Sequence, residues 1–266
     1  MIKQTPVHRF ADADALGQEL AARIADRMAD VLATGGVFVL GCPGGRTPVS
    51  TYAGLAVEID RRGLDRRRVV IAMMDDYVRR DGDRWVHIPA DAHNSCRRFA
   101  REEIQAVLNR GAAAGQAIPD ENVWFPDPAD PSDYDQRLRE AGGVDFFILA
   151  SGAGDGHVAF NPPGSAEDSR TRIVELAEQT RRDNLATFPD YRGLDDVPTH
   201  GVTVGIRTIS DLSKDAAMIL VGADKRTAFD RLAGGEGYEP DWPATVYRLI
   251  PGAGLYADAD AIGERP

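Results

Sequence analysis

Cysteine is nearly absent from this chain of 266 residues, which has only Cys42 and Cys96. The two stand far apart with no CxxC spacing, so neither a disulfide framework nor a thiolate zinc site is expected. Long hydrophobic runs are missing as well. The longest, such as Val37–Leu40 and Ala216–Val221, fall far short of the roughly 20 residues that cross a bilayer, and no membrane partner is expected. The opening residues MIKQTPVHRFADADALGQEL turn acidic before any apolar block develops, which does not fit a secretion signal and makes a cytoplasmic location the expectation. Positive charge is in the minority: 31 Lys plus Arg against 42 Asp plus Glu leave a formal charge of −11. That balance opposes nucleic acid as a partner over the whole surface, yet leaves room for a small basic pocket.

Several motifs are missing too. No GxGxxG occurs, and Ser151 does not sit in a GxSxG elbow, which weakens dinucleotide binding and an α/β-hydrolase. Histidines 8, 87, 93 and 200 show no ligand spacing, so no metal is expected. Nor is any other cofactor.

What is present reads as alternating helices and strands. Apolar residues make up 43%, enough for a sizeable core. Leu16, Leu20, Ile24, Met28 and Leu32 recur every fourth residue, which predicts a helix over Ala13–Leu32 capped by Asp12 or Asp14. VFVLGC (37–42), RVVIAMM (68–74), VDFFILAS (144–151), THGVTVG (199–205) and DAAMILVG (215–222) read as strands. Helices are expected from about Pro48 to Arg62, Ser95 to Leu108, Ser132 to Ala141 and Lys225 to Ala233, and the segments near 126–131 and 234–243 as surface loops. Strands separated by helices imply parallel crossovers. The expected fold is therefore a single α/β domain over residues 1–266, with a mostly parallel, Rossmann-like sheet and helices on both faces.

In such sheets a ligand lies beyond the carboxyl ends of the strands, and three of these strands end on polar or glycine-rich segments. Gly41-Cys42-Pro43-Gly44-Gly45-Arg46-Thr47-Pro48 follows a strand and opens a helix. Its amides, the Thr47 hydroxyl and the Arg46 charge suit a phosphate. It is not a P-loop, because Gly41 and Gly45 enclose three residues rather than four and arginine replaces lysine. Asp75-Asp76 ends the second strand. Adjacent residues of an extended chain point to opposite sides, so one carboxylate at most normally faces a given pocket. There it could act as a base moving a proton between neighbouring substrate carbons. After the third strand, Asp155-Gly156-His157 pairs a carboxylate with an imidazole. Alone it reads equally as a turn containing a histidine.

Together these segments resemble the glucosamine-6-phosphate deaminase/6-phosphogluconolactonase family, in order and over most of the chain. LGCPGGRTPVSTY is similar to its phosphate loop, MMDDYV to its M-D-E-Y-V segment, and GAGDGHVAFNPPGS with SRTRIVEL to the deaminase block around D-G-H. VPTHGVTVGIRTI and MILVGADKRTAF match later segments. The resemblance implies an aldose–ketose isomerisation of an amino-sugar phosphate coupled to loss of ammonia. Asp75 would carry the proton between C2 and C1, His157 oriented by Asp155 would assist ring opening, and Gly45, Thr47 and Lys225 would hold the phosphate, with Gly44, Arg46 and Asp76 as this chain's further candidates for binding the substrate. No redox cofactor is implied, and a homo-oligomer stays open.

Three departures from the family pattern stand out. The glutamate that follows A-F-N in the deaminases is Pro162 here. The phosphate-binding arginine two residues beyond the family asparagine falls on Ala186 if Asn184 is that asparagine, and Arg46 replaces a glycine. The lysine after S-R-T-R used in allosteric binding by some bacterial deaminases is Val174. Two other expectations therefore stand beside isomerisation: a lactonase in which His157 activates water, and a non-catalytic sugar-phosphate binder.

Overall fold

The computed structural model describes residues 5–188 and 190–264, without the side chain of Ala186. Helix α1 (Ala13–Ala33) follows the four-residue spacing: Leu16, Leu20, Ile24, Met28 and Leu32 are buried. Of the two candidate caps, Asp12 is the one that accepts, from the Ala15 amide at 2.8 Å. Gly35 turns with a φ of 81° toward β2 (Phe38–Cys42). β2, β3 (Val69–Met73) and β10 (Ala216–Leu220) are buried throughout, as strands covered on both faces must be. With β7 (Phe146–Ala150), β1 (Val7–Phe10), β6 (Val123–Trp124) and β11 (Gly254–Asp258) they form a seven-stranded sheet ordered β1-β11-β10-β7-β2-β3-β6. Every pairing in it is parallel.

Successive residues of a strand serve opposite layers. On β3, Val69, Ile71 and Met73 pack with α1 and α2 (Val49–Arg62), and with the helical run 96–108. Val70 and Ala72 pack with α5 (Pro131–Glu140), α7 (Ile206–Leu212) and α8 (Arg226–Leu232). The predicted α/β architecture with helices on both faces is present.

A second sheet was not foreseen. β4 (Asp75–Asp81), β5 (Arg84–His87), β8 (Arg172–Glu175) and β9 (His200–Thr203) pair antiparallel in the order β5-β4-β9-β8. The segment THGVTVG, expected among the parallel strands, belongs here. Met74 joins the two sheets: its amide donates to the Cys42 carbonyl at 3.2 Å, and its carbonyl accepts from the Val204 amide at 2.9 Å. The chain thus leaves β3 and at once starts β4, with Asp75 its first residue.

Other boundaries also shift. Ser95 caps the run 96–108 instead of belonging to it, accepting from the Arg97 and Arg98 amides. That run comprises α3 (Cys96–Phe99), a π-helical stretch (Ala100–Gln105) and α4 (Ala106–Leu108). The segment 234–243 is a surface loop through Asp241, and only its last two residues, Trp242 and Pro243, are buried, where Pro243 opens a 3-10 turn to Leu249. Helices α6 (Glu178–Thr187) and α9 (Ala259–Ile262) complete the chain. No helix among the described residues is long and apolar enough to cross a membrane.

Candidate active site

Beyond the carboxyl ends of β2, β3, β7 and β10 lies a cleft of about 660 Å³. Gly44, Gly45, Arg46, Thr47, Asp75, His157 and Lys225 line it, as the sequence predicts. Asp155 stands behind His157. Asp76 is not among the lining residues.

The loop after β2 is held from beneath, where the Tyr52 hydroxyl donates to the Pro43 carbonyl at 2.9 Å. Gly45 has a φ of 84° and nothing within 4 Å of where a Cβ would stand. Backbone conformation, not space, requires glycine there. Pro48 precedes the 14-residue helix α2 without a side-chain cap; the Val49 amide donates to the Arg46 carbonyl at 3.3 Å, and the positive end of the helix faces the loop. Arg46 is exposed at the rim. Opposite, Lys225 ends a short 3-10 turn (Ala223–Lys225) after β10, and its Nζ donates to the Ser151 carbonyl at 2.9 Å. Burial lowers its pKa, against the raising charges of Asp224, Asp183 and Asp155.

Asp75 is buried, with 6% of its surface exposed. Burial pushes its carboxyl pKa up to about 7, and the Asp76 charge adds to this. The Cys96 thiol, 3.4 Å from Oδ1, and the charge of His157 pull the other way. Asp76 points away from the cleft, as the alternation of a strand demands. Its Oδ1 accepts from the Tyr77 and Cys96 amides at 2.9 and 3.0 Å, and its Oδ2 from Arg97 Nε at 3.1 Å. His87 Nδ1 lies 2.9 Å from the same oxygen but outside hydrogen-bond direction. Asp76 therefore ties α3 to β4 and has no free face for a substrate.

His157 Nδ1 is 2.7 Å from Asp155 Oδ1, while Asp155 Oδ2 accepts from Thr180 Oγ1 at 3.0 Å. Burial alone would raise the Asp155 pKa. The hydrogen bonds and charge of His157, with the Thr180 hydroxyl, overcome it and hold the carboxylate at about 2. Two glycines make room for this turn. A Cβ on Gly152 would collide with Asp155 and His157, and Gly156, with a φ of 65°, lies against the Trp242 ring. Ala159 takes a φ of 50°, a left-handed conformation that costs a residue with a Cβ roughly 1 kcal/mol. The chain then reaches β9: the Phe160 amide donates to Thr203 Oγ1 at 3.1 Å and Asn161 Nδ2 to the Val204 carbonyl at 2.7 Å. Thr203 is also the backbone partner of Asp75.

Sequence reading missed α6. Thr180, Asp183, Asn184 and Thr187 recur at three- and four-residue spacing and so share one helix face. Thr180 meets the Asp155–His157 pair, and the other three line the cleft. One oxygen of Asp155, one of Asp183 and one ring nitrogen of His157 lie within 4.8 Å of one another. The Lys225 ammonium adds a positive charge to the same group. Asn184 Nδ2 is buried without a partner, a donor available to a ligand. A polar helical stripe in TRRDNLAT was the available signal, but so few apolar residues gave no periodicity to read.

A parallel sheet whose strand ends gather an anion loop, a lysine, a carboxylate of raised pKa and an Asp–His pair defines an α/β enzyme built for proton transfer. The chain belongs to the glucosamine-6-phosphate isomerase/6-phosphogluconolactonase family, whose profile matches residues 11–252. A glucosamine-6-phosphate deaminase of Shouchella clausii is 31% identical over 230 residues, 84% of each chain. Among solved structures, a monomeric glucosamine-6-phosphate deaminase superposes with a TM-score of 0.81 at 25% identity, covering 98% of this chain and 100% of that one. A 6-phosphogluconolactonase from Shewanella baltica shares the fold, with a TM-score of 0.68 at 20% identity over 97% of this chain and 100% of the other.

Proposed function

We propose that this protein is a glucosamine-6-phosphate deaminase: it isomerises the amino aldose phosphate toward the ketose and releases ammonia. The carrying observation is that a buried carboxylate with a pKa of about 7 and an Asp–His pair border one cleft. A base of that strength is about half ionised at neutral pH, so it can both take up and give back a proton.

The phosphate sits on the amides of Gly44 and Gly45, with Thr47, Arg46 and Lys225 around it. His157, steadied through Nδ1 by Asp155, exchanges the proton that opens the sugar ring. Asp75 takes the proton from C2 and returns it to C1, so the C2 amine becomes an imine. Water adds to that imine, ammonia leaves, and the C2 carbonyl remains. Pro162 contributes no ionisable group. Asp183 is the second carboxylate beside His157, so the reading gives it the task of steadying the imidazole while the ring opens. Asp76 takes no part in binding. The reaction draws on side-chain acids and bases alone, and the lack of a membrane-length apolar helix fits a cytoplasmic metabolic enzyme.

The test is a substrate panel: glucosamine-6-phosphate, galactosamine-6-phosphate, neutral hexose and pentose phosphates, and 6-phosphogluconolactone. The expected result is ammonia and ketose phosphate in equal amounts from an amino-sugar phosphate, with solvent deuterium at C1. Lactone hydrolysis without ammonia release would replace this reading, and binding without turnover on the whole panel would make the protein a sensor.

A further inference from the structure

Cys96 makes two independent contacts, one to the base and one to the carboxylate beside it. Its amide donates to Asp76 Oδ1 at 3.0 Å, and its Sγ lies 3.4 Å from Asp75 Oδ1. The two carboxylates point to opposite sides of β4, and one residue at the start of α3 bridges both. Its neighbours fix it there. Ser95 Oγ accepts from the Arg97 and Arg98 amides, Arg97 Nε donates to Asp76 Oδ2 at 3.1 Å, and a terminal Arg97 nitrogen donates to the Ile88 carbonyl. These bonds fix the Cys96 backbone beside the carboxylate, so the sulfur has only its χ1 rotation left to set.

A thiol is a weak donor, but one paired with a carboxylate away from water gains from the charge. Cys96 is held in the donor form, because burial and the charges of Asp75 and Asp76 push its pKa well above the ordinary thiol value.

We propose that Cys96 is a positioning residue for Asp75: its S–H occupies Oδ1 and leaves Oδ2 as the oxygen that takes the substrate proton. This rests on the deaminase reading and adds a residue to it. A carboxylate free to turn would offer either oxygen in many orientations, whereas one anchored oxygen fixes the approach to C2. The other titratable groups bearing on Asp75 are Asp76 and Tyr77 on β4, Tyr134 on α5 and His157 in the turn after β7. Burial keeps both tyrosines neutral, the Tyr134 hydroxyl donates to the Met73 carbonyl, and Cys96 is the one side-chain donor on the Asp75 carboxylate among the described residues.

The experiment compares pH profiles of kcat/KM for wild type, Cys96→Ala and Cys96→Ser. Removing the donor destabilises the ionised base. Cys96→Ala should therefore move the acid limb upward by roughly half a unit to one unit and lower kcat about tenfold with little change in KM. Cys96→Ser, which keeps a donor, should hold the limb at its wild-type position. Equal losses in both variants with the limb unmoved would show a packing role and overturn the proposal. Should Cys96→Ala not fold, the infrared S–H stretch decides. It should move to higher frequency in Asp75→Asn, whose amide is a weaker acceptor, and an unmoved band overturns the proposal. A wild-type protein without turnover would sink the deaminase reading alone, since the infrared comparison needs no substrate.

Discussion

Lys225 Nζ hydrogen-bonds the carbonyl of Ser151, and this contact joins the end of β10 to the end of β7 across the floor of the cleft. The ammonium rests on a neutral acceptor, while its nearest carboxylate, Asp224, stays 3.8 Å away. Its charge is aimed without being cancelled. Lys225→Met should raise KM for a phosphorylated sugar by roughly 10- to 100-fold, the effect of losing a charge-assisted contact of about 1.5–3 kcal/mol. Steady-state kinetics checks it, with Lys225→Arg recovering part of the loss.

The pKa of Asp75, near 7 against an ordinary 3.8, has one consequence for rate and another for stability. The base must be ionised to work, so kcat/KM should fall tenfold per unit as pH drops below about 7. Between the two values the folded chain holds a proton that the unfolded chain has lost. Stability therefore falls as pH rises across that window, by an amount on the order of 4 kcal/mol once it is crossed. Asp75→Asn removes the ionisation. It should lower kcat at least a thousandfold while melting higher than wild type at pH about 8, with the two proteins converging near pH 3.5.

Asp155 carries the opposite sign. Its carboxyl is depressed to about 2, so its contribution is present above the ordinary value of 3.8 and disappears as pH falls toward 2. Asp155→Asn should abolish that acid-side dependence in a thermal melt series and slow turnover about 100-fold. Asp183→Asn, changing a partly exposed group, should slow turnover about tenfold and leave the melting temperature nearly unchanged.

Gly152 offers a steric test of the Asp155–His157 geometry. Any Cβ there meets both side chains. Gly152→Ala should lower kcat at least 100-fold, because a shift of about 1 Å in a catalytic group is enough to do so. Circular dichroism should show the fold retained, and a Gly152→Ala enzyme with wild-type kcat would show that the pair tolerates movement.

Four strands of the parallel sheet, β2, β3, β7 and β10, were legible because they are buried and announce themselves as unbroken apolar runs, whereas the half-exposed β1 and β6 and the glycine-led β11 were not read. The site at their ends followed from the glycine-rich loop, Asp75 and the Asp155–His157 pair. What stayed hidden was held by relationships other than local pattern. β4 was hidden because the strand was read as ending on Asp75-Asp76, and its partner β9 is an antiparallel neighbour about 125 positions away that no local window contains. Asp76 was assigned to the substrate beside Asp75, although strand alternation turns it toward Arg97 and α3. Cys96 and Asp183 lie 21 and 28 positions from the groups they meet, Asp75 and Asp155, and only folding brings those pairs together.

β9 does more than fill the small sheet. Thr203 pairs with Asp75 through the backbone, and its hydroxyl receives the amide of Phe160, three residues after His157. One strand therefore acts as a gauge block between base and imidazole, set on one side by a main-chain pairing and on the other by the Thr203 hydroxyl. Such a gauge leaves the chemistry interchangeable. Side chains on α6 and α3 can differ around that spacing, and relatives named for a deamination and for a lactone hydrolysis share the fold.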